Sequence, residues 1–272
     1  MTGDLLDDLQ ARLAPQGISG LRPLAGGASS LTFVADLADR RVVVKVAPPG
    51  HAPIAHRDVL RQARILRALR GTEVPVPQHT LGVLHRLSPA ELDLTGEPVI
   101  APDAEVDKWC RTLETVDPAL SPGWQQVANA LRVATPPPIA PAIVHGDFRL
   151  GNLLADQQGI TAVIDWEIWS VGDPRVDVGW FLINSDPDTY QRATPYRGTT
   201  PPVHELVAEY RDALGRDAPR LEWFQALACF KSTATWSLIV KHNRRRPAPD
   251  PELEAMAASL PGLLARAADH LG

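Results

Sequence analysis

Three oxygen-bearing side chains near the middle of the chain carry the first chemical signal. Asp147 and Asn152 stand five positions apart in the run Ile143-Val144-His145-Gly146-Asp147-Phe148-Arg149-Leu150-Gly151-Asn152. Asp165 ends the next strand-like run, Thr161-Ala162-Val163-Ile164, after a turn at 156–159. A tight turn folds the second run against the first, so the three side chains converge at one end of a hairpin. Amide and carboxylate oxygens are hard donors suited to Mg²⁺, which takes few protein ligands and keeps waters and phosphate oxygens. Asn152 and Asp165 are the candidate metal ligands. Asp147 can orient a hydroxyl and accept its proton. A carboxylate for the nucleophile, oxygen ligands for a metal and a lysine for phosphates are what phosphoryl transfer needs. Lys45 is the natural lysine, on the β-branched run 41–46 that follows a stretch of small residues, Gly26-Gly27-Ala28-Ser29-Ser30.

The flanking sequence predicts the elements that hold these groups. Leu5, Leu6, Leu9 and Leu13 recur at helical spacing, and Pro15 and Gly17 end that helix. Residues 31–34 and 41–46 read as strands joined by a turn at Ala38-Asp39-Arg40. Apolar positions at 59, 60, 63, 65, 66 and 69 predict a helix with a basic face, stopped by Gly71. Val74-Pro75-Val76-Pro77 is an extended connector. Residues 106–120 and 124–133 read as helices, and 223–240 as a buried one despite Lys231. The expected division is a small N-terminal part, 1–77, and a mainly helical part, 78–272, with the catalytic hairpin at 143–167.

Composition excludes other classes. The chain has 272 residues, 44% hydrophobic and 22% charged, the balance of a globular protein. A net charge of −5 gives no global footprint for nucleic acid. No run of about 18 residues is apolar and uncharged enough to span a membrane. Two cysteines, Cys110 and Cys229, make neither a disulfide framework nor a zinc cluster and fit a reducing cytoplasm. The histidines at 51, 56, 79 and 85 lack metal-ligand spacing.

His145-Gly146-Asp147 with Asn152 matches the kinase catalytic-loop pattern, His-x-Asp with Asn five residues on. With Gly146, Ile164-Asp165-Trp166-Glu167 and Gly172-Asp173-Pro174, the segment 144–180 resembles the aminoglycoside phosphotransferase and choline kinase-like family. It is similar in particular to the branch that includes kinase-like domains attached to some acyl-CoA dehydrogenases. The resemblance implies a two-lobed, protein-kinase-like α+β fold with a reduced antiparallel sheet in its small lobe. It implies ATP or GTP as co-substrate with Mg²⁺, and a small-molecule hydroxyl as acceptor. Asp147 then corresponds to the base, Asn152 and Asp165 to the metal ligands, and Lys45 to the lysine on the α- and β-phosphates. Gly27, Ser29 and Ser30 fall in the phosphate-covering loop, and His145 and Asp177 correspond to a pair that braces the catalytic loop.

The chain departs from the family pattern at three places. Gln62 stands where a glutamate normally pairs with the strand lysine. The connection after Pro77 is too short for the strands and hinge that hold adenine, leaving only 97–100 to supply them. The glycine loop is brief, with Ser30 where Asn is common. An intact catalytic loop beside an eroded nucleotide lobe also fits two other readings. One is a kinase-fold biosynthetic enzyme that uses Asp147 or Asp165 as acid or base without ATP. The other is a catalytically silent binding module.

Overall fold

The computed structural model describes residues 2–24, 31–46, 59–68, 77–156, 159–190 and 201–272. The chain divides into two compact units, Met1–Arg70 and Gly71–Gly272.

In the first unit, helix α1 (Thr2–Leu13) precedes an antiparallel sheet of β1 (Ile18–Pro23), β2 (Leu31–Leu37) and β3 (Arg40–Val46), in that order. Alternation along the strands turns Phe33 and Ala35 of β2 and Val42, Val44 and Val46 of β3 toward Leu6, Leu9 and Leu13 of α1. Gln10 of α1 fixes the edge strand: its Oε1 accepts from the Leu21 N–H at 3.1 Å and its Nε2 donates to the Ile18 carbonyl. Lys45 pairs with Thr32 across the β2–β3 ladder. It therefore lies on the opposite sheet face from α1, next to the exposed Val43. Helix α2 (Val59–Ala68) follows, with Ile65 fully buried. Gly27, Ser29, Ser30, the side chain of Gln62 and the connector at 74–76 lie outside the described residues.

The second unit is built on α8 (Leu221–Asn243), which is apolar around its whole circumference and therefore central. Helices α4 (Pro102–Leu113), α5 (Trp124–Val133), α6 (Arg175–Ser185), α9 (Pro251–Ala255) and α10 (Leu260–Asp269) pack on it. Trp223, Phe224 and Phe230 of α8 are buried there, each worth roughly 1.5–3 kcal/mol. Gly179 lets α6 approach closely, since a Cβ there would sit 2.3 Å from the Phe224 carbonyl oxygen. Helix α3 (Pro77–Arg86) packs on α7 (Val203–Leu214) through Gly82, whose Cβ would lie 2.5 Å from that of Ala213.

Two small sheets carry the loops of interest. In one, β8 (Ser170–Gly172) pairs with β4 (Val99–Ile100) in parallel and with β5 (Ala142–Val144) antiparallel. The other is the hairpin of β6 (Leu153–Asp156) and β7 (Gly159–Val163). Val99 and Ile100, the expected source of a replacement hinge, are thus paired to the strand beside the catalytic loop.

The helix expected over 106–120 ends at Leu113. Pro118 pushes Asp117 into an extended conformation, φ −61° and ψ 121°, and the Asp117 side chain caps a short turn over Pro118–Leu120. The basic run after Val240 makes specific braces: Lys241 donates to the Thr115 carbonyl and Arg244 forks onto Glu254. Among the described residues, no helix is long and apolar enough to cross a membrane.

Candidate active site

The candidate site begins where β5 ends. His145 and Gly146 follow it directly, and their backbone N–H groups donate to the two carboxylate oxygens of Asp177 at 2.5 and 2.8 Å. Asp177 comes from the first turn of α6 and is fully buried. Burial pushes its pKa up, but the bonds and charge of His85 and the contacts of His145 outweigh that and hold it below the ordinary carboxylate range. His85 Nε2 lies 3.4 Å from Asp177 Oδ2, and its Nδ1 lies 2.9 Å from the Tyr210 hydroxyl. The catalytic loop therefore hangs from an ionised carboxylate that α3 and α7 support from below.

His145 is buried, which lowers its pKa and favours the neutral ring. Its Nδ1 accepts from the Asp147 N–H at 3.1 Å, so its Nε2 is the protonated nitrogen and donates to the Ile164 carbonyl at 2.9 Å. That bond ties the catalytic loop to the end of the hairpin. The His145 ring also packs on Trp166, with centroids 4.5 Å apart. Trp166 and Trp169 are both buried, so they form core under the loop rather than an open aromatic wall.

Gly146 adopts φ +85°, and a Cβ on it would meet the Ile168 carbonyl oxygen at 2.6 Å. The chain can turn here only with glycine. The turn presents Asp147, whose side chain is 23% exposed. Asp147 Oδ1 accepts from the Trp180 indole N–H at 2.7 Å. Its Oδ2 accepts from the Asn152 amide at 2.8 Å and from Arg149 Nε at 3.3 Å.

Asn152 is buried and also donates Nδ2 to the Asp147 carbonyl at 2.8 Å. Its backbone carbonyl accepts from the Ile164 N–H at 2.9 Å, one step beyond the Leu153–Val163 pair of the hairpin ladder. Asp165 is the next residue, in a left-handed conformation with φ +69° and ψ 50°, which Asp tolerates better than most side chains. Register alone thus brings Asn152 and Asp165 to the same end of the hairpin. With its amide nitrogen committed to Asp147, Asn152 offers Oδ1 to a cation. An amide oxygen and a carboxylate oxygen fit Mg²⁺, which needs few protein ligands. Among the described residues no cluster of three His, Cys, Asp or Glu could hold a metal.

The second unit therefore brings Asp147, Asn152 and Asp165 together, with Arg149 alongside. Lys45 belongs to the first unit. Four further residues shape the site and were not singled out for it by sequence: His85, Tyr210, Trp180 and Lys231. Lys231 had left a trace as a charge inside an apolar helix, and His85 had been considered only as a metal ligand and set aside.

The fold is the two-lobed protein-kinase-like α+β fold. A solved structure from Ralstonia eutropha, of a protein assigned as an aminoglycoside phosphotransferase, matches with a TM-score of 0.78 over 98% of both chains at 18% identity. A ternary complex of an aminoglycoside phosphotransferase with AMP-PNP and hygromycin B matches with a TM-score of 0.57 over 97% of both chains at 15% identity. The model of the phosphotransferase enzyme family matches residues 20–79 and 78–224, and the chain belongs to that family. The acyl-CoA dehydrogenase family member 10 of Mus musculus is 25% identical over 206 residues, 57% of this chain. The chain spans 19% of the length of that relative.

Proposed function

We infer that the protein is a Mg²⁺- and nucleotide-dependent phosphotransferase that moves the terminal phosphate of ATP or GTP to a hydroxyl of a small molecule, an antibiotic-like compound or a metabolite. The observation that carries this reading is the way Asp147 is held. Its carboxylate has roughly four lone-pair positions. Trp180, Asn152 and Arg149 donate to it. That leaves acceptor capacity at the partly open edge of the carboxylate for one more O–H.

In this reading Asp147 accepts the hydrogen bond of the acceptor hydroxyl, aims its oxygen at the phosphate and takes its proton. Arg149 keeps positive charge beside the reacting phosphate from a half-exposed position. Asn152 and Asp165 would hold Mg²⁺, which supplies charge to neutralise the phosphate oxygens when bound. Lys45 would hold the α- and β-phosphates, with Gly27, Ser29 and Ser30 covering them. Residues 1–77 would serve the nucleotide and 78–272 the acceptor and the chemistry. The family match over both segments and the AMP-PNP-bound relative support nucleotide use. A reducing, cytoplasmic setting belongs to the same reading, since Cys110 and Cys229 are buried free thiols.

The test couples binding to turnover. Nucleotide with Mg²⁺ at a hundredfold excess over Kd should stabilise the protein by about 2.7 kcal/mol, visible as a thermal shift that chelation removes. Asp147→Asn should keep that shift and lose phosphate transfer to whichever hydroxyl acceptor the wild type uses. Turnover retained in Asp147→Asn removes Asp147 as the base. No shift and no nucleotide consumption with ATP or GTP across an acceptor panel overturns the reading.

A further inference from the structure

Lys231 sits in the middle of α8 with only 5% of its surface exposed. A buried ammonium is costly unless its donors are bonded. Its Nζ donates to the carbonyl of Gly146, the peptide immediately before Asp147. The same Nζ stands 3.7 Å from the centre of the Trp180 ring and 5.7 Å from that of Trp109. The Trp180 N–H is the donor to Asp147 Oδ1. The Trp109 N–H is committed to Glu105 at 3.2 Å. The charged groups around Lys231 are Asp147 from the catalytic loop, Glu105 and Lys108 from α4, and Asp177 from α6.

We propose that Lys231 is a positioning residue for Asp147, acting through the Gly146 carbonyl and through the Trp180 indole. The first arm fixes a peptide plane. The Gly146–Asp147 peptide has its oxygen bonded by Lys231 and its N–H bonded by His145 Nδ1 at 3.1 Å. The plane from which the Asp147 side chain departs is thereby held at both ends. Gly146, with its positive φ, is the residue type that permits this orientation. The second arm fixes and strengthens a donor. A cation over an indole face is attracted to the ring and polarises it, and linked polar contacts strengthen one another in a dry interior. The Trp180 N–H is therefore both aimed at Asp147 and made a better donor by the ammonium behind it. The catalytic meaning of this arrangement rests on the phosphotransferase reading above; the physical coupling of Lys231 to Trp180 and Asp147 does not. Burial pushes the lysine down to about 8, against the pull of Asp147, so the ammonium prevails at neutral pH and is lost in mild alkali. That gives the coupling a direct readout.

The experiment follows the Trp180 indole N–H by NMR in the ¹⁵N-labelled full chain between about pH 6 and 10, on either side of the lysine value of about 8. The signal is assigned by its loss in Trp180→Phe or by through-bond correlation. We expect it to titrate with a midpoint near 8 in the wild type and to stay flat in Lys231→Arg. In Lys231→Met it should sit at its alkaline position throughout. Once an acceptor is in hand, Lys231→Met should lower kcat by about 10²-fold with nucleotide KM within about twofold. Lys231→Arg should restore most of kcat and keep it above pH 8, where the wild type declines. An indole signal that coincides in wild type and Lys231→Met near neutral pH overturns the proposal, as does, where that variant does not fold, a signal that neither titrates in the wild type nor shifts in Lys231→Arg. A titrating signal in a protein that transfers no phosphate supports the coupling and removes only the phosphotransferase reading.

Discussion

Asp177→Asn offers the sharpest test of how the catalytic loop is held. Oδ2 of Asp177 takes the His145 N–H and faces His85, while Oδ1 takes the Gly146 N–H. An asparagine has one oxygen for these two sides. If that oxygen replaces Oδ2, its NH₂ faces the Gly146 N–H; if it replaces Oδ1, its NH₂ faces the His145 N–H. Either rotamer sets donor against donor in a fully buried place. Losing a charge-assisted bond costs about 1.5–3 kcal/mol and an orphaned buried N–H about 1–3 kcal/mol. Together they come to about 2.5–6 kcal/mol, which brackets the roughly 3–5 kcal/mol seen when one partner of a buried charged pair is removed, and that narrower range sets the expected loss. At about 2–4 °C per kcal/mol for a unit of this size, the melting temperature should fall by about 6–20 °C. The pH dependence adds a second arm. The Asp177 pKa is lowered on folding, so its stabilisation is present above the unfolded value of about 3.9. It is lost as pH falls below that value and through the lower native one. The gap between wild type and Asp177→Asn should therefore be full near neutrality and close in strong acid. Thermal or urea unfolding measures both arms. A variant that melts within about 2 °C of wild type at neutral pH, or a gap that widens in acid, would refute this account of the brace.

Two other substitutions test neighbouring features. Gly146→Ala forces a side chain into a left-handed conformation, about 1–2 kcal/mol, and against the Ile168 carbonyl oxygen at 2.6 Å, about 1–3 kcal/mol. It should lower stability by about 2–5 kcal/mol by denaturant unfolding, and an unchanged midpoint would mean the loop relaxes freely there. Arg175→Met removes a buried guanidinium that forks onto Asp173 at 2.7 and 2.9 Å and donates to the carbonyls of Pro137 and Pro219. With Asp173 left buried, the loss should be about 3–5 kcal/mol, and a melting curve that overlays the wild type would contradict it.

The grouping of the candidate site residues was legible because their spacing is local. Asp147 and Asn152 sit in one loop, and Asp165 follows through a short hairpin whose turn and β-branched strand are written in 156–164. The buried helix at 223–240 was legible because apolar residues dominate it on every side despite Lys231 and the hydroxyl residues between them. The expected long helix over 106–120 failed on one residue, Pro118, whose effect on Asp117 outweighs the apolar periodicity that continues past it. The supports that reach Asp147 and its loop from other helices were not legible, because each lies far along the chain. Trp180 is 33 residues away, and Lys231 is 85 residues from the carbonyl it bonds. His85 is 92 residues from Asp177 and 125 from Tyr210. Helical periodicity assigns such residues to a core; it carries no record of which polar group waits there.

That division has a physical cause. A reacting carboxylate needs an environment accurate to a fraction of an ångström, and a loop with a glycine at its turn cannot supply that by itself. The accuracy comes from groups whose own positions are fixed by packing: an indole on α6, an ammonium on α8 and an imidazole on α3. Each is buried, so each would be expensive without its partner, and the partner in every case belongs to the catalytic loop or to the aspartate that holds it. The cost of burying these polar groups therefore selects the one loop conformation that satisfies all of them. Stability of the helical unit and geometry of the site are consequently the same property, and substitutions at His85, Trp180 or Lys231 should disturb both together.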